Sequence, residues 1–88
     1  MEKYKVVFRK SVFKDLERIP KKDVRRIVAS IKTLAENPRP PQSRKLSGDE
    51  KYRLRSGVYR ILYSIEDNKL IICVVKIRHR KNVYRKST

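Results

Sequence analysis

The chain has little of what most catalytic sites are built from: one cysteine, one histidine, two glycines and nine acidic residues among 88, with no tryptophan. Cys73 has no partner for an internal disulfide, and one cysteine with one histidine cannot supply the four ligands of a structural zinc site. Gly48 and Gly57 are too few and too far apart for a glycine-rich phosphate loop. No two acidic residues fall together in a strand setting suited to magnesium. The lone histidine, His79, sits in Arg78-His79-Arg80-Lys81 with no carboxylate nearby in sequence to orient it, which argues against a Ser-His-Asp device. No apolar run approaches the roughly 20 residues a bilayer requires. The start, Met1-Glu2-Lys3-Tyr4, lacks the apolar centre of a secretory signal, so a reducing cytoplasm is the expected compartment.

What the chain has in excess is positive charge. Twenty-five Lys and Arg against nine Asp and Glu give a formal charge of +16, well past what solubility asks of a small domain. Such a surface seeks a polyanion, either nucleic acid, whose phosphates release counterions on binding, or an acidic protein. A membrane surface fits less well, because the cations are not gathered on one amphipathic helix. The length predicts a single domain over residues 1–88 with a thin core.

Apolar patterning places the charges. Tyr4 to Phe8 predicts a first strand. Ser11 is expected to cap a short helix carrying Val12, Phe13, Leu16 and Ile19 and ended by Pro20. Val24, Ile27, Val28, Ile31, Leu34 and Ala35 recur at helical spacing and predict a longer helix, the two forming a hairpin that needs a sheet to cover. Asn37-Pro38-Arg39-Pro40-Pro41 is a connector, since each proline removes a donor and biases its predecessor toward extended geometry. A short strand at Ser43 to Leu46 and a turn at Ser47 to Glu50 follow. Two β-branched runs, Val58 to Glu66 and Leu70 to Ile77, then form a hairpin, with Leu70 to Val75 apolar on both faces as in an interior strand. The expected class is α+β: a strand, a helical hairpin, then three or four mostly antiparallel strands and a short basic C-terminal tail or helix.

The run from Lys51 to Arg60 stands out. In an extended chain Lys51, Arg53 and Arg55 share one face about 7 Å apart while Tyr52 and Leu54 share the other. Like charges so arranged repel unless an anion lies over them. Arg53, Arg55 and Arg60 are expected to converge on the open face of the sheet with residues from the end of the last strand. RNA carries its own nucleophile, the ribose 2′-hydroxyl. Cations that stabilise charge on phosphorus, plus one group that moves a proton, therefore suffice for cleavage. The candidate catalytic residues are Lys51, Arg53, Arg60, Arg78, His79, Arg80 and Tyr84, and the candidate RNA-binding residues are Lys45, Arg55 and Lys81. A plainer reading stands beside this one. Charged strands also guard sheet edges, Arg60 can be paired structurally with Glu66 or Asp67, and Tyr52, Tyr59, Tyr63 and Cys73 suit a core or its rim.

The element order, with Lys45-Leu46-Ser47-Gly48, Tyr52-Arg53-Leu54-Arg55-Ser56-Gly57-Val58-Tyr59-Arg60-Ile61-Leu62-Tyr63 and His79-Arg80-Lys81-Asn82-Val83-Tyr84, resembles the RelE side of the RelE/ParE toxin superfamily over almost the whole chain. The resemblance implies a RelE-like microbial RNase fold and the toxin of a type II toxin-antitoxin pair. It also implies a metal-independent, ribosome-dependent endoribonuclease that cuts mRNA in the A site beside 16S rRNA, leaves a 2′,3′-cyclic phosphate, and is masked by a RelB-like antitoxin. Neither metal nor small-molecule cofactor is implied. On the family's pattern Lys51 and Arg53 are basic site residues, Arg60 contacts the scissile phosphate, and Arg78 or Arg80 stabilises or protonates the leaving group. Tyr84 orients the nucleophile or stacks on the substrate. Arg53 stands where lysine is common and His79 is an added titratable group, so the residue that moves the proton stays open. The alternatives are a ParE-like gyrase inhibitor and a basic RNA-binding module without catalysis.

Overall fold

A computed structural model describes residues 3–46 and 51–79. Strand β1 (Lys5–Phe8) leads into helices α1 (Lys10–Glu17) and α2 (Lys21–Glu36), then strands β2 (Ser43–Lys45), β3 (Lys51–Ser56), β4 (Tyr59–Glu66) and β5 (Ile71–His79). One sheet takes all five strands in the order β1-β5-β4-β3-β2. The expected α+β class holds, with one addition: β1 lies parallel to β5, pairing Lys5 with Ile71 through Phe8 with Val74, while every other neighbour is antiparallel.

The helices form where the apolar stripe dictates, but their ends differ from expectation. The α1 helix starts one residue before Ser11, with Arg9 at the N-cap position and no side-chain cap, so Ser11 is not the cap. Its first turn is held instead by the Val12 amide donating to the Arg9 carbonyl at 3.0 Å. Pro20 opens α2, and Asp23 in the first turn complements the helix dipole. Ile27, Ile31, Leu34 and Ala35 bury their side chains as the period requires. They meet Leu54, Ile61, Tyr63, Ile72, Val74 and Ile77 from the sheet, with Val12 from α1 closing the core.

The β3–β4 hairpin turns on two residues, Gly57 and Val58, with positive φ only at Gly57 (60°), the pattern of a II′ turn. The β4–β5 turn spans 67–70, and Leu70, expected to begin the strand, instead holds φ at 55° inside the turn. Along the outer part of β5, beyond the reach of β1, Asp15 of α1 covers the edge: its Oδ2 accepts the Ile77 amide at 3.2 Å and its Oδ1 lies 3.4 Å from Lys76 Nζ. An otherwise open strand edge is thereby closed.

Candidate nucleic-acid interface

Alternation along β4 sends Tyr59, Ile61, Tyr63 and Ile65 into the helix-covered core and leaves Arg60, Leu62 and Ser64 on the opposite face. Register then decides which cations join Arg60. Arg55 of β3 and Arg78 of β5 both pair with Arg60, so three arginines lie side by side across three adjacent strands. Strands sit about 4.8 Å apart, so the three side chains rise from the sheet as neighbours. A second row adjoins the first, with Arg44 of β2 paired to Arg53 of β3 and Arg53 to Leu62. Lys51, paired with Ser64, continues the same face.

A β-bulge makes the first row possible. Tyr63 pairs with Val74 but Leu62 pairs with Lys76, so Val75 is the extra residue. In a regular strand Ile77 would stand opposite Arg60, and Arg78 would turn toward the core beside Tyr59, because one residue of slip exchanges the faces. The bulge keeps Ile77 buried at 4% exposure and brings Arg78 to the open face.

The row has no counterions among the described residues. Asp67, a candidate structural partner for Arg60, lies at the other end of β4 and is taken by Arg39, which donates from Nη2 at 2.9 Å and Nη1 at 3.3 Å. Arg39 also donates from Nε to the Tyr52 hydroxyl at 3.0 Å, and Tyr4 donates its hydroxyl to Asp67 at 2.7 Å. Glu66 faces Lys69. The Nε atoms of Arg60 and Arg78 are buried with no hydrogen-bond acceptor among the described residues. An unsatisfied buried donor costs about 1–3 kcal/mol, so each of the two marks a point where an acceptor would stabilise the face. Burial and then the charges of Arg60, Arg55 and Arg44 push the Arg53 guanidinium below its ordinary value, which identifies Arg53 as the meeting point of both rows. Beside it, Pro41, Gln42, Arg44, Arg53 and Arg55 line a cleft of about 290 Å³.

Of the candidate residues, Lys51, Arg53, Arg55, Arg60 and Arg78 occupy one face. Two others are not brought there. His79 pairs with Tyr59 and meets its ring edge-on, with centroids 5.2 Å apart, on the core side of the sheet. The bulge that turns Arg78 outward turns His79 inward, so the histidine does not join the arginine row. Lys45 pairs with Tyr52, whose ring stacks on buried Tyr63, and this sets Lys45 on the side of β2 away from the row. Its neighbour Arg44 takes the open face in its place. Sequence patterning missed Arg44 because β2 is only three residues long and its phase follows from pairing with β3. Arg80, Lys81 and Tyr84 lie outside the described residues.

Fold and face together define a small α+β protein with a row of arginines across one face of its sheet. A family model described as the ParE toxin of the type II toxin-antitoxin system, parDE, matches residues 6–84. The putative toxin RelE1 of Methanocaldococcus jannaschii is 34% identical over 87 residues, covering 94% of this chain and 97% of that protein. Toxin RelG of Mycobacterium tuberculosis is 29% identical over 94% of this chain and 98% of its own length. The crystal structure of the archaeal RelE–RelB complex from Pyrococcus horikoshii OT3 contains a chain that superposes with a TM-score of 0.80 at 32% identity, over 89% of this chain and 96% of that one. The chain belongs to the RelE/ParE superfamily and is a RelE-like toxin of a type II toxin-antitoxin system.

Proposed function

We propose that the protein is a metal-independent endoribonuclease that cuts mRNA in the ribosomal A site, acts in the cytoplasm, and is held in check by a RelB-like antitoxin. The observation that carries this reading is the row Arg55, Arg60 and Arg78 without a carboxylate among the described residues. In the reaction a ribose 2′-oxygen attacks the adjacent phosphorus as a base removes its proton. The bond from phosphorus to the 5′-oxygen breaks, and a proton passes to that oxygen, giving a 2′,3′-cyclic phosphate and a 5′-hydroxyl. The transition state gathers negative charge on the phosphoryl oxygens, which arginine forks satisfy with paired donors at fixed geometry. Arginine keeps its proton at any working pH. The base is assigned to Lys51, which shares this face, with Arg60 and Arg78 stabilising the phosphorane and Tyr84 orienting the nucleotide.

The antitoxin half of the proposal follows relatives whose solved structures are RelE–RelB complexes. A groove of about 560 Å³ between β1 and α2 supports it. Val6, Phe8, Val28 and Ile31 form the apolar floor, and Lys5 and Lys32 stand at the rim, which suits a partner segment with one apolar face and acidic flanks.

Primer extension on a message incubated with ribosomes and the purified protein tests the reading. Discrete cuts in the A-site codon, absent when ribosomes are left out, support it. Because the matching family model bears the ParE name, gyrase supercoiling is assayed alongside. An intact message with supercoiling blocked overturns the nuclease in favour of a gyrase ligand.

A further inference from the structure

We infer that the cleft between β2 and β3 is a second phosphate subsite, built by Arg44, Arg53 and Arg55 with Gln42 at its wall, which takes the phosphodiester next to the one being cut. This rests on the nuclease reading for what the neighbouring phosphate undergoes, and on the geometry of the cleft for its own occupant.

Three observations converge. The cleft of about 290 Å³ has three arginines among its five lining residues and no acidic one. Arg44 and Arg53 are paired across β2 and β3, and Arg55 is the next residue of the same face along β3, so the guanidinium groups border one hollow from two strands. None of the three side chains makes an ion pair or hydrogen bond to another described residue, whereas the arginine of the connector, Arg39, has its donors taken up by Asp67 and Tyr52. Protection of the sheet edge accounts for Arg44, which lies on the outermost strand, but not for Arg53 and Arg55, which lie on an interior strand. The charge crowding at Arg53 comes from Arg60 on one side and from Arg44 on the other, and so links the cleft to the arginine row.

The cleft is continuous with that row through Arg55, which pairs directly with Arg60. A phosphate at Arg60 and Arg78 thus has a cationic neighbour site displaced by one to two strand spacings, about 5–10 Å, toward β2. A single-stranded backbone carries a charge at every nucleotide, and such a track binds it without reading the base. Gln42 adds an amide donor and acceptor to the lining, able to meet a sugar hydroxyl. The two sites together would fix two successive phosphates and so hold the alignment of the scissile linkage for in-line attack.

The test uses the full chain and a tetranucleotide of 2′-O-methyl ribonucleotides, which cannot be cut because its nucleophile is blocked. Each of its linkages is replaced in turn by a neutral methylphosphonate, and binding is followed by fluorescence anisotropy at low salt. Neutralising one linkage is expected to weaken binding by the wild type about tenfold, and the same replacement is expected to have no further effect in Arg44→Gln or Arg55→Gln. Arg60→Gln should keep its sensitivity at that linkage and lose it at the adjacent one. Equal loss at every linkage in all three variants, undiminished sensitivity in Arg44→Gln and Arg55→Gln, or no binding by the wild type would each overturn the subsite. Arg44 and Arg55 are exposed, so their replacement leaves the core untouched, and circular dichroism checks this. The readout is binding, so a wild type that binds with this linkage pattern but leaves messages whole would sink the nuclease and keep the subsite. A wild type that cuts without the pattern would do the reverse.

Discussion

The two ends of strand β4 hold arginine in opposite ways. Near its far end, Arg39 meets both oxygens of Asp67 and the hydroxyl of Tyr52, its guanidinium lies 5.3 Å from the centre of the Tyr52 ring, and the Tyr63 hydroxyl reaches the Pro38 carbonyl at 2.7 Å. Near its start, Arg60 faces Arg55 and Arg78, with two Nε atoms buried and no acceptor among the described residues. The same side chain is an anchor in one place and an open demand in the other. The first arrangement ties the proline connector to the β4–β5 turn, and the second leaves the face that the proposed function gives to phosphate. Cation count alone would not separate the two ends, since what distinguishes them is where the few carboxylates were spent.

The largest effect is expected from moving one member of the open row. Inserting an alanine between Ile77 and Arg78 carries Arg78 to the position opposite Tyr59 and turns it toward the core side. Message cleavage in the ribosome assay should fall by roughly 10²–10³-fold, the range for losing one transition-state donor, while urea unfolding keeps a single transition. Cleavage at the wild-type rate would show that the row is not the site.

The anchored end is broken next. Tyr63→Phe leaves the Pro38 carbonyl buried without its donor, and should cost about 1–3 kcal/mol in urea unfolding with no change in cleavage beyond that due to unfolding. A smaller contrast comes from treating the two arginines alike. Arg39→Gln should lower the urea midpoint because it releases Asp67 and Tyr52, whereas Arg60→Gln should leave the midpoint unchanged or raise it, since it removes mutual repulsion. Equal losses would mean that Arg60 has a structural partner after all.

The smallest effect is read against pH. Hydrogen bonds from Arg39 and then Tyr4 hold the Asp67 carboxyl below its ordinary value. A carboxyl depressed in the folded state contributes stability that is complete above the unfolded value of about 3.9 and is lost as pH falls through the folded value. The midpoint difference between wild type and Asp67→Asn should therefore be constant from neutrality to about pH 5 and shrink below about pH 4. A difference that stayed constant to the lowest pH would remove Asp67 from the anchor.

Much of this was legible in the chain itself, for reasons that particular residues make plain. The stripe from Val24 to Ala35 specified α2, because helical spacing is a local property. The alternation of Lys51, Arg53 and Arg55 against Tyr52 and Leu54 named the cationic face before any pairing was known. The parallel seat of β1 on β5 was not legible, because four residues with aromatic and β-branched side chains do not say which distant strand they join. The bulge was hidden for a different reason. Ile72, Val74 and Ile77 record the change of phase, but Cys73 and Val75 make the segment apolar on both faces and mask it. Hence Arg78 and His79 read as one site in the sequence although the sheet parts them. Lys45 stands among the sequence candidates and Arg44 does not, since a three-residue strand takes its phase from its neighbour.

The central claim is that an arginine becomes functional here by lacking a counterion. The most direct test is the single-turnover rate of message cleavage on programmed ribosomes for Arg60→Gln set beside Arg39→Gln. The account predicts a fall of about 100-fold or more for the first and a wild-type rate for the second at a temperature where both are folded. Equal rates for the two variants, whether both high or both low, would contradict it.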